Sequence, residues 1–224
     1  MVTYDIEFLS RHLSFYDELT PAQKTHFNES LQVQSPSKGT EILNHHKHCQ
    51  GMMLVKSGQL RAYIVSNNGK EITLYRLLAG DSCVMSASCV LKNINFTISL
   101  SVEKDSVIYL IPPSPYSKLM EDSPVVNKFT LDMMSSRFSD VMWIMEQVVF
   151  SSMASRIASS LLEYSTLEQS DYILTTHENI ARDVGTAREV VSRMLKYFES
   201  EGAIELSRGA VLIKSYDKLE EISD

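Results

Sequence analysis

Three cysteines in 224 residues, Cys49, Cys83 and Cys89, cannot make a disulfide framework: the number is odd and no pair has CxxC spacing. A reducing compartment suits that usage, and any thiol chemistry would be sensing or ligation. No apolar run approaches the roughly 18 residues of a membrane span, and the start MVTYDIEFLSRHL carries two acids and no apolar signal core. These absences set the expectation of a cytoplasmic protein without a membrane partner. Positive charge is also short. The net charge is −7, so nucleic-acid binding would have to rest on local cations. Glycine and proline are missing altogether from Val125 to Gln169, which leaves that stretch free to form long helices. No catalytic constellation is visible either, since the serines lack a paired base and the acids form no dyad.

What is there is 44% hydrophobic, enough for one large core or two modest ones. FYDELTPAQKTHFNESLQ places Thr20 as a cap, Pro21 at the first helical position, and Ala22, Phe27 and Leu31 at roughly helical spacing. From Lys38 to about Pro112 short β-type runs alternate with glycine and asparagine turns, which implies a barrel or roll. Asn68-Gly69 between LRAYIVS and KEITLYRL is a hairpin signal, because both residues tolerate positive φ. Leu131, Met134, Phe138, Val141, Met145 and Val148 are then spaced 3, 4, 3, 4 and 3, a heptad seam on a long helix. The stripe either covers the protein's own core or pairs with its copy in a parallel homodimer. Arg137 and Asp140 beside it are compatible with the copy, and the homodimer is the reading taken. A further helix from Ser151 to Tyr164 carries Met153, Ile157, Leu161 and Leu162.

Residues 175–213 read TTHENIARDVGTAREVVSRMLKYFESEGAIELSRGAVLI. Thr176 can cap a helix through Ile180, Ala181 and Val184. Gly185 supplies a tight turn, and small Ala181 with Gly185 lets two helices cross closely. A second helix from Thr186 or Ala187 turns Val190, Val191, Met194, Leu195 and Phe198 inward, the helix-turn-helix arrangement. Arg188, Glu189, Ser192 and Arg193 share its outward face near the N-terminal half. Arginine can fork onto guanine O6 and N7 and a carboxylate can accept from cytosine N4, so the quartet has the chemistry to read a major groove. Two apolar strands around Ser207-Arg208-Gly209 form a wing tipped by a cation. Against this, residues 171–224 hold 7 Lys and Arg and 11 Asp and Glu, a balance of −4, with the acids concentrated in ESEGAIE and DKLEEISD. Repulsion from those acids predicts strongly salt-dependent binding.

The order helix, roll, long helix and winged helix, with GKEITLYRLLAGD in the roll and IARDVGTAREVVSRMLKYFESEGAI in the reading head, resembles the CRP/FNR superfamily of bacterial transcription regulators over nearly the whole chain. The resemblance implies an α+β protein with a cyclic-nucleotide-binding-like β-roll over 1–123, a dimerisation helix over 124–150 and a winged helix-turn-helix over 151–224. It also implies a homodimer on a palindromic site in double-stranded DNA, an effector pocket in each roll and RNA polymerase as a partner. By motif match Arg188, Glu189 and Arg193 would read bases, with Ser192 as a further reader, and Thr176 and Thr186 would lie on the phosphate side. Ala187 and Val190 replace polar residues common in the best-known members. Two family mechanisms are disfavoured. Members that bind cyclic nucleotides carry a Gly-Glu-Leu turn and an Arg-Ser pair after the Gly-Asp of the roll, whereas GDSCVMSASCVLKNINFTIS has neither glutamate nor arginine. Members with an iron–sulfur cluster hold it with closely spaced cysteines near the N-terminus, whereas no cysteine precedes Cys49 here and three cannot fill a four-thiolate cluster.

HHKHC falls at a connection between two early strands of the family's roll. His46 and His48 would share a side of an extended segment, so with Cys49 they could begin a metal site, but a polar turn is the bland reading and the one taken. Cys83 and Cys89, with Met85, Phe96 and Ile98, lie in the run that would line the effector pocket. The cysteines fit either apolar filling or thiol sensing, and a small apolar or aromatic ligand is the other open option. The rival from a different class is a cupin-like metal- or small-molecule-binding enzyme with an accessory helical domain. The reading taken is a non-enzymatic dimeric regulator.

Overall fold

The computed structural model describes residues 4–43, 50–84 and 98–223, and the chain divides into two compact units, Met1–Ile64 with Leu74–Val141, and Val65–Thr73 with Met142–Asp224. The first begins with α1 (Ile6–His12) and α2 (Pro21–Ser30). Thr20 and Gln23 close a reciprocal capping box at α2, the Thr20 N–H donating to the Gln23 side chain at 2.9 Å, with Pro21 at the first position. Phe27 is fully buried as its spacing predicts and Leu31 nearly so, whereas Ala22 faces solvent.

Strands β1 (Gln32–Gln34), β2 (Glu41–Leu43), β3 (Met52–Val65), β4 (Glu71–Leu77), β5 (Ser82–Cys83) and β6 (Ser99–Ile111) form a six-stranded sheet in the order β1-β6-β3-β4, with β2 on β6 and β5 on β3. Long β3 runs antiparallel to β6, from Met52 opposite Ile111 to Tyr63 opposite Ser99, and its register slips between Val55 and Leu60. Such slips bend a strand, so one strand can serve two faces of a roll. The β3–β4 connection is a hairpin turn, but only Gly69 has positive φ. Its N–H donates to the Ser66 carbonyl at 2.9 Å. A type I turn closed by a left-handed glycine therefore replaces the expected pair of positive-φ residues.

Beneath the sheet, Leu9, Leu13, Phe15, Tyr16 and Phe27 pack with Met52, Leu54, Tyr109 and Ile111. The same core takes Tyr116 and Leu119 of α3 (Pro113–Asp122) and Val126 of α4 (Pro124–Phe150). Phe15 meets Phe27 and Phe129 edge to face, with ring centroids 6.0 and 5.0 Å apart. The Tyr116 hydroxyl, its pKa pushed up to about 12 by burial, lies 2.6 Å from the Thr130 hydroxyl, which donates to the Val126 carbonyl. At 27 residues α4 is about 40 Å long.

In the second unit, α5 (Met153–Glu168) is capped by Ser152 and ends at Gln169, whose φ is +50°. Then come β7 (Tyr172–Ile173), α6 (His177–Val184), α7 (Arg188–Ser200), β8 (Ile204–Ser207), β9 (Ala210–Ile213) and α8 (Tyr216–Ser223). The three strands pair in the order β7-β9-β8. Ile157, Leu161, Ile180, Leu195, Phe198 and Leu219 belong to one core. Helices α1 and α8 were not foreseen: each is short, and acids obscured the single fully buried apolar anchor, Leu9 or Leu219.

Packing rather than capping holds α2. Phe27→Ala should destabilise the protein by about 3–5 kcal/mol and Thr20→Ala by about 1 kcal/mol, measured by urea unfolding of the full chain. The reverse order would place the helix's stability in its cap.

Candidate nucleic-acid interface

The exposed face of α7 is positioned by a short turn. Thr176 caps α6, its hydroxyl accepting from the Asn179 N–H at 3.1 Å. The helix stops at Gly185, whose φ of +71° is left-handed backbone that side chains disfavour. A methyl group there would also lie 2.5 Å from Ile72, so the close approach that demands glycine is to the hairpin tip in the same unit. The expectation assigned that approach to the crossing of two helices. Asp183 anchors α6 by accepting from the Tyr164 hydroxyl and, at 2.5 Å, from the Thr73 hydroxyl. Arg156 donates to the Val184 carbonyl.

Helix α7 starts at Arg188 from Ala187, which supplies no side-chain cap. Val191, Leu195 and Phe198 are fully buried, one stripe spaced 4 and 3. The opposite face presents Arg188, Glu189, Ser192 and Arg193 along one open groove. All four residues named from the sequence are thus brought together on the helix that the core holds. Arg188 and Arg193 join no ion pair among the described residues. Arg208 stands exposed at the wing tip between β8 and β9, and Thr186 sits half-buried in the turn. A second groove, between the start of α6 and the wing, is lined by Thr175, Thr176, His177, Glu178, Arg188, Ser207 and Gly209. His177 was missed by sequence reasoning, although its place one residue after the cap was signal enough. Burial and the charges of Arg188 and Lys196 hold its pKa below the ordinary histidine value.

In the first unit, Cys83 is fully buried with its thiol 3.9 Å from the Tyr75 hydroxyl, and Ile98 is buried. Met85, Cys89 and Phe96, and the metal candidates His46, His48 and Cys49, lie outside the described residues. Two interior cations escaped the sequence reading, which sought one only after Asp81. Arg61 is 1% exposed and sits over the Tyr63 ring. Arg76 donates to Glu103 at 2.8 and 3.3 Å, and the Gln59 amide donates to the same carboxylate. Arg137, beside the seam, pairs with Asp140 at 3.0 Å, lies 4.7 Å from the Tyr75 ring centroid and donates to the Ser82 carbonyl of its own chain. Burial raises the pKa of Tyr75 well above that of an ordinary tyrosine. Of the seam residues, Leu131, Phe138, Met145 and Val148 are exposed, Phe138 by 66%, while Met134 packs against the roll's core and Val141 is half-buried.

The family model for a Crp-like helix-turn-helix domain matches residues 155–222, and that for a cyclic nucleotide-binding domain matches residues 33–123. A solved transcriptional regulator of the CRP/FNR family from Eubacterium rectale is 43% identical, with 95% of this chain and 99% of that chain covered and a TM-score of 0.92. The chain belongs to the CRP/FNR family of transcriptional regulators. The cyclic AMP receptor protein of Thermus thermophilus is 25% identical over 174 residues, 78% of this chain and 80% of that protein. The structure of CLP from Xanthomonas campestris, a c-di-GMP-responsive regulator, covers 88% of this chain and 100% of its own at 16% identity. With a TM-score of 0.75, it shares the fold. The mixed α+β architecture and the helix-turn-helix DNA-binding domain are those of the family, whose members are regulators rather than enzymes. Among the described residues no helix is long and apolar enough to cross a membrane.

An exposed cation that meets a duplex only through phosphate carries no sequence information. Arg208→Ala should therefore reduce the slope of log K against log salt by about 1 and leave the preferred sequence unchanged. Titrations of matched duplexes at several salt concentrations measure both.

Proposed function

We propose that the protein is a homodimeric, sequence-specific regulator of transcription that binds a palindromic operator, with its DNA affinity set by a signal sensed in the β-roll. The observation that carries this is the exposed face of α7, where Arg188, Glu189, Ser192 and Arg193 line one groove. Two guanidiniums and a carboxylate on the first turns of a helix can distinguish G from C along one strand of a major groove. Thr176, Thr186 and Arg208 flank it on the phosphate side. Two such heads related by a twofold axis would address half-sites about one helical turn apart. RNA polymerase is the partner that the family suggests.

The copy is brought in by α4. Leu131, Phe138, Met145 and Val148 present large apolar surface to solvent, which a parallel copy would cover. The division of labour follows as a sensing roll over 1–123, a pairing helix over 124–150 and a reading head over 151–224. A signal that alters the paired helices would alter the spacing of the two recognition helices.

The signal in this reading is not a cyclic nucleotide, although the Thermus relative is named for one. Residues 82–101 hold neither arginine nor glutamate, and the buried guanidinium of Arg76 is engaged by Glu103. A small ligand or a thiol reaction near Cys83 and Ile98 fits better, because both side chains are buried and the Cys83 thiol lies beside the Tyr75 hydroxyl.

Selection from a random duplex pool should yield a palindrome. Arg188→Ala and Arg193→Ala should each weaken binding to it by about 1–3 kcal/mol and relax the preference at one position per half-site, with unchanged unfolding. Wild-type binding by both variants would remove the recognition assignment. Phe138→Glu should convert the dimer to monomer in analytical ultracentrifugation and weaken operator binding with it. A variant that stays dimeric would place the interface elsewhere.

A further inference from the structure

The groove between α6 and the wing is polar in a way that the core does not require. Thr175 is 5% exposed, and its hydroxyl oxygen is buried with no hydrogen-bond partner among the described residues. Native proteins rarely leave such a group unsatisfied without a functional reason. The Thr176 hydroxyl accepts from Asn179 and retains its own proton to donate. Arg188 brings a guanidinium into the same groove, and the first turn of α6 adds its helix dipole. Thr176, Arg188 and the first turn of α6 border one groove, with the unpartnered Thr175 hydroxyl buried at its wall, a setting that favours an anion.

His177, the first residue of α6, lines this groove. The charged groups acting on it from α7 are Arg188 and Lys196, both cationic. Its own helix adds Glu178 to the lining, and the wing contributes Ser207, Gly209, Ala210 and Val211, none of which titrates. We propose that a backbone phosphate of the bound duplex seats in this groove and that His177 takes up a proton when it does, so that operator affinity rises as pH falls. The inference rests on the DNA-binding reading of α7 and adds to it a proton that the complex holds and the free protein does not.

The sign follows from the two states. In the free protein, burial and two neighbouring cations disfavour the imidazolium, so its pKa lies below the ordinary 6.5. A phosphate against the ring favours the imidazolium and raises that pKa. The complex therefore binds more protons than the free protein between the two values, and affinity increases as pH falls through that window. Above and below the window the contribution is flat.

The test uses the full chain and the palindrome selected above, between about pH 8 and about pH 5.5. Wild-type affinity should rise about three- to tenfold per reading head across that range. Calorimetry in buffers of different ionisation enthalpy should register proton uptake on binding. His177→Gln should remove both the slope and the uptake. His177→Lys should also be flat but bind more tightly than His177→Gln at the alkaline end, since its charge is permanent. A slope that survives in His177→Gln, a flat wild type, or a lysine variant no tighter than glutamine would each overturn the proposal. If the palindrome depends on Arg188 but its affinity does not vary with pH, the base-reading assignment stands and the phosphate seat at His177 falls. If no sequence is selected at all, both fall together.

Discussion

The rotation of α7 about its own axis is the constraint on which the reading surface depends. Each residue advances the helix by about 100°, so a core engagement shifted by one position would swing Arg188 and Arg193 away from their groove. Val191, Leu195 and Phe198 prevent that because all three are fully buried in the second unit's core, which also holds Ala181 and Val184 of α6. Specificity in a major groove requires side chains placed to within a fraction of a hydrogen-bond length, and a packed apolar stripe is what places them. Arg188, Glu189 and Arg193, on the exposed face, contribute little to the fold. They are long, solvated and free of ion pairs among the described residues, so the unit can vary what it reads without altering how it folds.

Helix α4 faces a different constraint. Near its start Val126 is buried in the roll's core and Phe129, Met133 and Met134 pack against it. Farther along, Met142, Trp143, Met145, Val148, Val149 and Phe150 are exposed, Phe150 by 81%. An ordinary surface helix has one apolar stripe, so a helix that is apolar on several sides implies more than one neighbour. Arg137 sits where these two demands meet. Its stacking over Tyr75 and its bond to the Ser82 carbonyl tie the helix's rotation to β4 and β5 of the first unit, beside the Cys83 thiol. A change in the packing around Tyr75 would thus act directly on a residue of α4, two side chains from the thiol.

Elements with a dense local code were legible in the sequence. Thr20 and Pro21 marked the start of α2, Gly185 marked the turn of the reading head, and the run without glycine or proline marked α4. The four residues of the α7 face could be grouped because helical periodicity alone decides which positions share a side. The interior of the roll was not legible by that means. Strand β3 is buried on both faces from Gln59 to Tyr63, so inward and outward residues do not alternate and Arg61 carries no sign that it is internal. The partnership of Arg76, Gln59 and Glu103 joins β3, β4 and β6, positions 17 to 44 residues apart, and only the sheet's register brings them together. The contact of Arg137 with Tyr75 escaped the sequence for a related reason: nothing local announces that an aromatic ring from another element lies against the guanidinium.

An acidic chain can still be a discriminating DNA binder. With a net charge of −7 the protein as a whole is repelled by a duplex, and in the proposed pose the local cations Arg188, Arg193 and Arg208 would offset that repulsion. Random sequence offers those side chains phosphates but few matched base edges, so the attraction stays close to the background cost. A matched site adds bidentate hydrogen bonds to the same electrostatic contacts. Since a genome presents a vast excess of competing sites, what matters is the ratio between the two and not the absolute affinity. Acid outside the reading face lowers both terms and leaves their ratio to whichever side chains meet the bases. The surplus of acids over bases in the reading head therefore shortens the time lost on unmatched sequence and steepens the salt dependence of both modes, while selectivity rests with the base contacts themselves.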